Sequence, residues 1–323
     1  MGEDSLSRRS ADGAKADKRR SAVMVVLALA LAAGPLVLSS YWIGLLTQVV
    51  ILGLLAMSLD ILLGYAGLPS LGHAAFFGVA AYAVAVLATS YGAGFWTCAI
   101  GGILVGVALS AALGTIVSHV RDVYFLMITL AIGMVLWGLS YRWIPVTGGD
   151  NGISGIPSLE SHAGLPVAGP AVFYYVSLAV AGVCAALMAR LVRSPFGLTL
   201  RAIRENEARM KSLGFNTWLH CYLAYVIAGF FASVAGVLWA YYNGFVSPTY
   251  LDLTASSELF LMVTLGGPAT LAGPMVGAGL IVLLKNVMSA YTARWLLVLG
   301  TVYVVAVLAA PQGLWNLGRR RNM

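Results

Sequence analysis

Residues 42–63 read WIGLLTQVVILGLLAMSLDILL. The stretch carries a single charge, Asp60, and no polar face at helical spacing. A helix crossing the hydrocarbon core of a bilayer needs roughly 20 mostly apolar residues, and a helix apolar all round belongs in lipid or deep in a large core. The length and the pattern together predict a membrane span. Similar runs recur at about 22–39, 75–91, 95–117, 123–141, 171–191, 220–242, 255–268, 273–290 and 294–310. The reading is an all-α, polytopic transmembrane helix bundle of about ten spans. The boundary at 268–273 is open, because Pro268 and Pro274 either break one helix or separate two.

Composition supports this. Of 323 residues, 60% are hydrophobic and 10% charged, against roughly 45–50% and 25% in soluble domains. A soluble fold of this size has nowhere to hide so much apolar surface. The net charge of +7 is no mark of nucleic-acid binding, because the basic residues sit in short clusters between apolar runs, as topology signals do. Threading ten spans from a cytoplasmic N-terminus puts six Lys/Arg of 1–20, Arg121, six of 190–211 and Arg319, Arg320 and Arg321 inside, sixteen of the nineteen. Arg142, Lys285 and Arg294 fall elsewhere. Both termini are therefore expected inside. Residues 1–20 read as a disordered basic tail, 21–311 as the membrane domain and 312–323 as a second basic tail. The basic tail before Ala22–Leu38 also fits a signal peptide, but the length of the stretch and the spans after it favour a retained helix. Cys98, Cys184 and Cys221 are scattered and read as small packing residues.

Two soluble segments stand out. Residues 142–170, rich in Gly and Pro, predict a structured loop or small cap outside. Residues 193–219 predict a cytoplasmic helix starting at Ser194-Pro195 and capped by Gly214. Arg201–Glu205, Glu205–Arg209 and Glu207–Lys211 are opposite-charge pairs at i,i+4, each worth a few tenths of a kcal/mol on an exposed helix. Leu198, Ala202, Met210 and Leu213 form a narrow apolar strip, with Asn206 among them. The segment is either a solvated linker or a docking helix for a cytoplasmic partner, with Arg201, Arg204, Glu205, Asn206, Glu207, Arg209 and Gly214 as its candidate residues.

Two apolar runs are interrupted by glycine and proline: GYAGLPSLGHAAFFG at 64–78 and GGPATLAGPMVGAG at 266–279. Both contain Gly-x-x-[Ser/Thr]-Leu, at Gly67–Leu71 and Gly267–Leu271. Non-helical backbone at membrane depth survives only where protein buries it or a watery path meets it. Broken helices in both halves of a chain point to a transport path; the alternative is tight turns whose glycines allow close packing. The path candidates are Gly64, Gly67, Ser70, Gly72, His73, Gly266, Gly267, Thr270 and Gly273, with Glu258 as an acidic residue at or near membrane depth. Glu258 could equally sit in a helix's first turn, and His73 reads as a packing residue or a ligand. Neither a metal-ligand spacing nor a catalytic grouping of nucleophile and base is visible. No lysine follows a glycine, so there is no P-loop. If ATP drives the protein, a separate subunit holds ATP and its Mg.

LDILLGYAGLPSLGHAAFFGVAAY (59–82), TGGDNGISGIP (147–157), RSPFGLTLRAIRENEARMKSLGFN (193–216), SSELFLMVTLGGPATLAGPMVGAG (256–279) and APQGLWNL near the end follow one another as in the branched-chain amino acid ABC transporter permeases of the LivM type. The chain resembles that family over nearly its whole membrane domain. It departs at Asp60, where the family usually has Asn, and at Leu68-Pro69 and Pro268-Ala269. The resemblance implies a transporter subunit in the bacterial inner membrane, not an enzyme, with no cofactor of its own. It also implies a second permease subunit completing a heterodimer, two cytoplasmic ATPase subunits docking on 193–216, and an extracytoplasmic substrate-binding protein. The solute would be a branched-chain amino acid or a related small solute. The rival reading is an ion-coupled secondary transporter, which usually needs carboxylates deep in the bundle; Asp60 and Glu258 are the two on offer.

Overall fold

A computed structural model describes residues 39–158 and 169–291, with the single positions Leu297, Gly300, Thr301, Val304 and Gly313. The expected basic tails, the 22–39 span and most of the 294–310 span lie outside the described residues. Within them the chain is helical: α1 Ser40–Asp60, α2 Ala74–Thr89, α3 Phe95–Val117, α4 Asp122–Arg142, α5 Pro170–Arg193, α6 Pro195–Glu205, α7 Glu207–Ser212, α8 Thr217–Asn243, α9 Leu253–Gly266 and α10 Ala272–Tyr291. A wider turn, Ile61–Ala66, continues α1 with i→i+5 bonding.

Six of these helices are long and apolar enough to cross a membrane: α1 with its wide turn, α3, α4, α5, α8 and α10. The spans expected at 75–91 and 255–268 are the shorter helices α2 and α9. At about 1.5 Å per residue they reach about 24 Å and 21 Å, short of a hydrocarbon core of about 30 Å. Ahead of α2 runs irregular chain at 67–73, and ahead of α9 an extended pair, Phe245–Val246, and a 3-10 turn, Pro248–Leu251. The 267–271 boundary resolves as a turn between two helices, α9 and α10.

Helices α1, α2 and α8 form the buried centre, with Ile51, Leu59, Phe76, Tyr225 and Ala235 almost completely covered. Close approach there depends on small side chains. Gly106 of α3 lies against Ser233 of α8, and Gly229 of α8 against Ser110 of α3, the arrangement by which membrane helices gain contact where hydrophobicity cannot drive association. The outer helices instead expose large apolar side chains such as Leu104, Ile116, Met127 and Val135. Exposed Tyr41, Trp42, Tyr91, Trp96 and Trp143 all sit at helix ends on one side of the bundle, as aromatic residues do at a membrane interface.

That aromatic end also holds the 142–158 part of the expected loop. A helical turn Ile144–Thr147 and a tight turn Gly149–Asn151 lead into a two-residue strand, β1 Ile153–Ser154, which pairs antiparallel with β2 Phe245–Val246. Residues 159–168 lie outside the described set. The opposite, basic end gathers Arg121, the α5–α8 connection, the 61–66 turn and the 267–271 turn.

Candidate functional site

The expected single helix over 194–214 is two helices. Asn206 breaks it with extended backbone (φ −160°, ψ 96°), and its Oδ1 caps α7 by accepting the Arg209 N–H at 2.9 Å. Asparagine prefers this capping role to a helix interior. The Glu205–Arg209 pair therefore straddles the break, and among the described residues no ion pair joins Arg201 to Glu205. Glu207–Lys211 does form, at 3.1 Å. The expected start at Ser194-Pro195 holds. Gly214 takes φ +85° just past α7, with the Phe215 N–H reaching the Met210 carbonyl and the Gly214 N–H that of Lys211, the six-to-one and five-to-two closure of a glycine-ended helix. The apolar strip is corrected too. Gly197, Leu200, Ile203 and Met210 are the buried positions, while Leu198 and Leu213 face out.

Glu207 ties three elements together. Arg121, just ahead of α4, donates through Nε and Nη2 to its two carboxylate oxygens at 2.9 and 3.1 Å. Thr217, the first residue of α8, donates its hydroxyl at 2.9 Å. Hydrogen bonding by Arg121, aided by Thr217 and Lys211, outweighs partial burial and holds the carboxyl far below its usual range, at about 2.

α6 grips the first glycine-broken segment. The Arg204 guanidinium donates to the Gly64 carbonyl, and its stem fills the space beside Gly67, whose φ of +71° closes the wide turn. The Arg201 guanidinium sits 4.9 Å from the Tyr65 ring centre, within cation–π range. Just ahead of the same turn, at the end of α1, fully buried Asp60 reaches the second segment. Its Oδ1 accepts the Ala269 N–H at 2.7 Å and its Oδ2 the Leu271 N–H at 3.1 Å. A Cβ at Gly64 would collide with both Asp60 and Ala269. The two broken segments thus meet through one carboxylate. Their shared motif builds different turns: the Ser70 hydroxyl accepts the Gly72 N–H two residues on, the Thr270 hydroxyl accepts that of Gly273 three residues on, and only the second turn holds non-glycine residues, Ala269 and Leu271, at positive φ.

The remaining candidates lie apart. Gly72 presses on the Thr129 carbonyl of α4, and Gly266 and Gly273 press on each other's backbone, so their immediate use is close packing. His73 is fully buried, 2.8 Å from the Ser58 hydroxyl through Nε2. Since that hydroxyl donates to the Leu55 carbonyl, Nε2 is the donor and Nδ1 meets no hydrogen-bond partner among the described residues. Glu258 lies in the second turn of α9, past the first turn allowed for it, and pairs with Lys285 of α10.

Residues 41–308 match the family model described as branched-chain amino acid transport system, permease component. The chain belongs to this family. It is similar to the high-affinity branched-chain amino acid transport system permease protein LivM of Salmonella typhimurium, at 31% identity over 94% of this chain and 76% of that protein. Its likeness to the LivM of Escherichia coli is 30%, with the same coverage. A shorter stretch, 39% of this chain, is 30% identical to the companion-named permease LivH of Escherichia coli, of which it covers 41%. No solved structure matches.

For a member of this permease family, the sequence reading missed three contributors: Tyr65, Arg121 and Lys285. Arg121 was legible only as a topology charge. Lys285 carried a signal, being one of three basic residues that the positive-inside pattern left unplaced. Tyr65 gave none.

Proposed function

We propose that the chain is the membrane permease subunit of an ABC importer for branched-chain amino acids or related small solutes in the bacterial inner membrane. In this reading it crosses the membrane ten times with both termini in the cytoplasm. It completes its path with a second, non-identical permease, takes solute from an extracytoplasmic binding protein at the aromatic end, and is driven by two ATPase subunits at the basic end. Those subunits hold ATP and Mg; this chain contributes no cofactor.

The observation that carries the reading is the continuous linkage at the basic end. An exposed charged helix pair, α6–α7, is bonded through Arg204 to the wide turn beside Asp60, and Asp60 is bonded to the 267–271 turn. A force applied to α6 by a bound ATPase reaches both broken segments through these bonds. A further fact favours an external motor over ion coupling: Asp60 spends both oxygens on backbone N–H groups.

The test is uptake of radiolabelled leucine into proteoliposomes holding the chain with its co-encoded permease, ATPases and binding protein. Uptake should need internal ATP and external binding protein. Uptake that persists without ATP while an ion gradient is held would overturn the proposal.

A further inference from the structure

Glu258 and Lys285 are the charged side chains of two mostly apolar, antiparallel helices, α9 and α10. The Lys285 Nζ donates to both Glu258 oxygens, at 3.0 and 3.1 Å. Glu258 stands eight residues before Gly266, the basic end of α9, or about 12 Å along the axis; Lys285 stands thirteen residues after Ala272, or about 20 Å. Both distances fall well inside a hydrocarbon core of about 30 Å. The pair is not sealed in protein: the Glu258 side chain is 14% exposed and that of Lys285 45%.

A lysine or a carboxylate at mid-depth is costly to insert, and pairing does not reliably repay the desolvation of two ions. Such a pair opening on lipid has no evident return; opening on water, it loses little. The flanking residues agree. Thr254, Ser257 and Glu258 lie at i, i+3 and i+4 on α9, and Lys285 and Ser289 at i and i+4 on α10, giving a polar stripe on helices whose other faces are apolar.

We propose that Glu258 and Lys285 form a head-group site on the translocation path, taking the ammonium of a zwitterionic α-amino acid on Glu258 and its carboxylate on Lys285. The proposal rests on the importer reading and names the chemistry its path recognises. A zwitterion can open this pair and leave neither ion bare, replacing the Glu258–Lys285 link by two to the solute. The net charge of the site stays constant, so passage strands no charge in the low dielectric.

The test uses the assembled importer in proteoliposomes with leucine as probe. Glu258→Leu with Lys285→Leu removes both ions together, a change that a purely structural pair tolerates well. The expected result is assembly with the ATPases and uptake at least tenfold below the unaltered complex; uptake within twofold overturns the site. A second measurement needs no loss of function. With Cys98, Cys184 and Cys221 changed to alanine, Lys285→Cys should react with a charged, membrane-impermeant thiol reagent, and leucine-loaded binding protein should slow the reaction. Reaction only with a membrane-soluble maleimide overturns the site. No ATP-driven uptake by the unaltered complex would instead bring down the importer reading, while the labelling still reports whether this surface meets water.

Discussion

Asp60 and Ala269 are joined by a 2.7 Å hydrogen bond in which the Ala269 N–H donates to the carboxylate, across 209 positions of sequence. The second oxygen takes the Leu271 N–H. Asp60→Ala should leave two N–H groups without their acceptor, at about 1–3 kcal/mol each where buried. Asp60→Asn should fall between, since a carboxamide offers one acceptor oxygen and points a donor at the second N–H. Thermal unfolding of the detergent-purified protein should rank native above Asn above Ala. Equal midpoints would show that the bond carries no stability.

Gly64 and Gly182 make a matched pair of probes. Gly64→Ala places a methyl group on Asp60 and Ala269, where backbone must move; overpacking of this kind costs typically 1–3 kcal/mol. Gly182, in α5, has nothing among the described residues within 4 Å of a new Cβ, so Gly182→Ala should be neutral or stabilise by up to about 1 kcal/mol. Protease resistance of the two variants in detergent separates them.

Glu207 predicts a pH response at the acid side alone. Its carboxyl is held at about 2, against an ordinary 4.5. A group whose folded value is depressed adds stability that is complete above the unfolded value and is lost as pH falls toward the folded one. The Arg121 link should therefore be at full strength at neutral pH and weaken between about pH 4.5 and 2. Glu207→Gln should remove that component, flattening the stability profile over this window, while Arg121→Glu with Glu207→Arg restores part of the neutral-pH stability. Thermal scans across pH read both.

The outward face of α6–α7 carries Leu198, Glu205, Arg209, Leu213 and Phe215. Arg204 and Glu207 are engaged inside the chain, so reversing them would damage internal bonds before it tested any partner. Leu198→Asp and Leu213→Asp change only the exposed face. Each should cut co-purification of the ATPase subunits by about tenfold, the loss of a contact worth about 1.4 kcal/mol, with the thermal midpoint unchanged. Undiminished co-purification would place the motor elsewhere.

The apolar runs located α1, α3, α4, α5, α8 and α10 well, because each spans a full bilayer width and nothing in it competes with a helix. α2 and α9 begin and end within two residues of the runs read at 75–91 and 255–268. Glycine and proline announced the irregular chain ahead of α2, whereas the pairing of Phe245 and Val246 with β1 ahead of α9 left no mark in the sequence pattern. The 193–219 segment was legible as a charged rod, but its break at Asn206 was not. Asparagine five residues before Lys211 reads equally as an exposed helical position until the Arg209 N–H is seen to need a cap. The meeting of the two glycine segments depends on Asp60, whose partners are backbone groups and so leave no mark in the side-chain pattern. Two departures from the family pattern, at Asp60 and at Ala269, turn out to touch.

The carboxylate clip also sets an order of events during biogenesis. Asp60 leaves the ribosome more than two hundred residues ahead of Ala269 and Leu271, so α1 enters the bilayer with an acceptor that has nothing to accept. Until the last third of the polypeptide is inserted, that ion must stay hydrated or protonated at the membrane edge. Maturation of the basic end is in this sense a late step, and truncated chains ending before position 269 should be recognised by quality-control proteases however well their earlier helices are inserted.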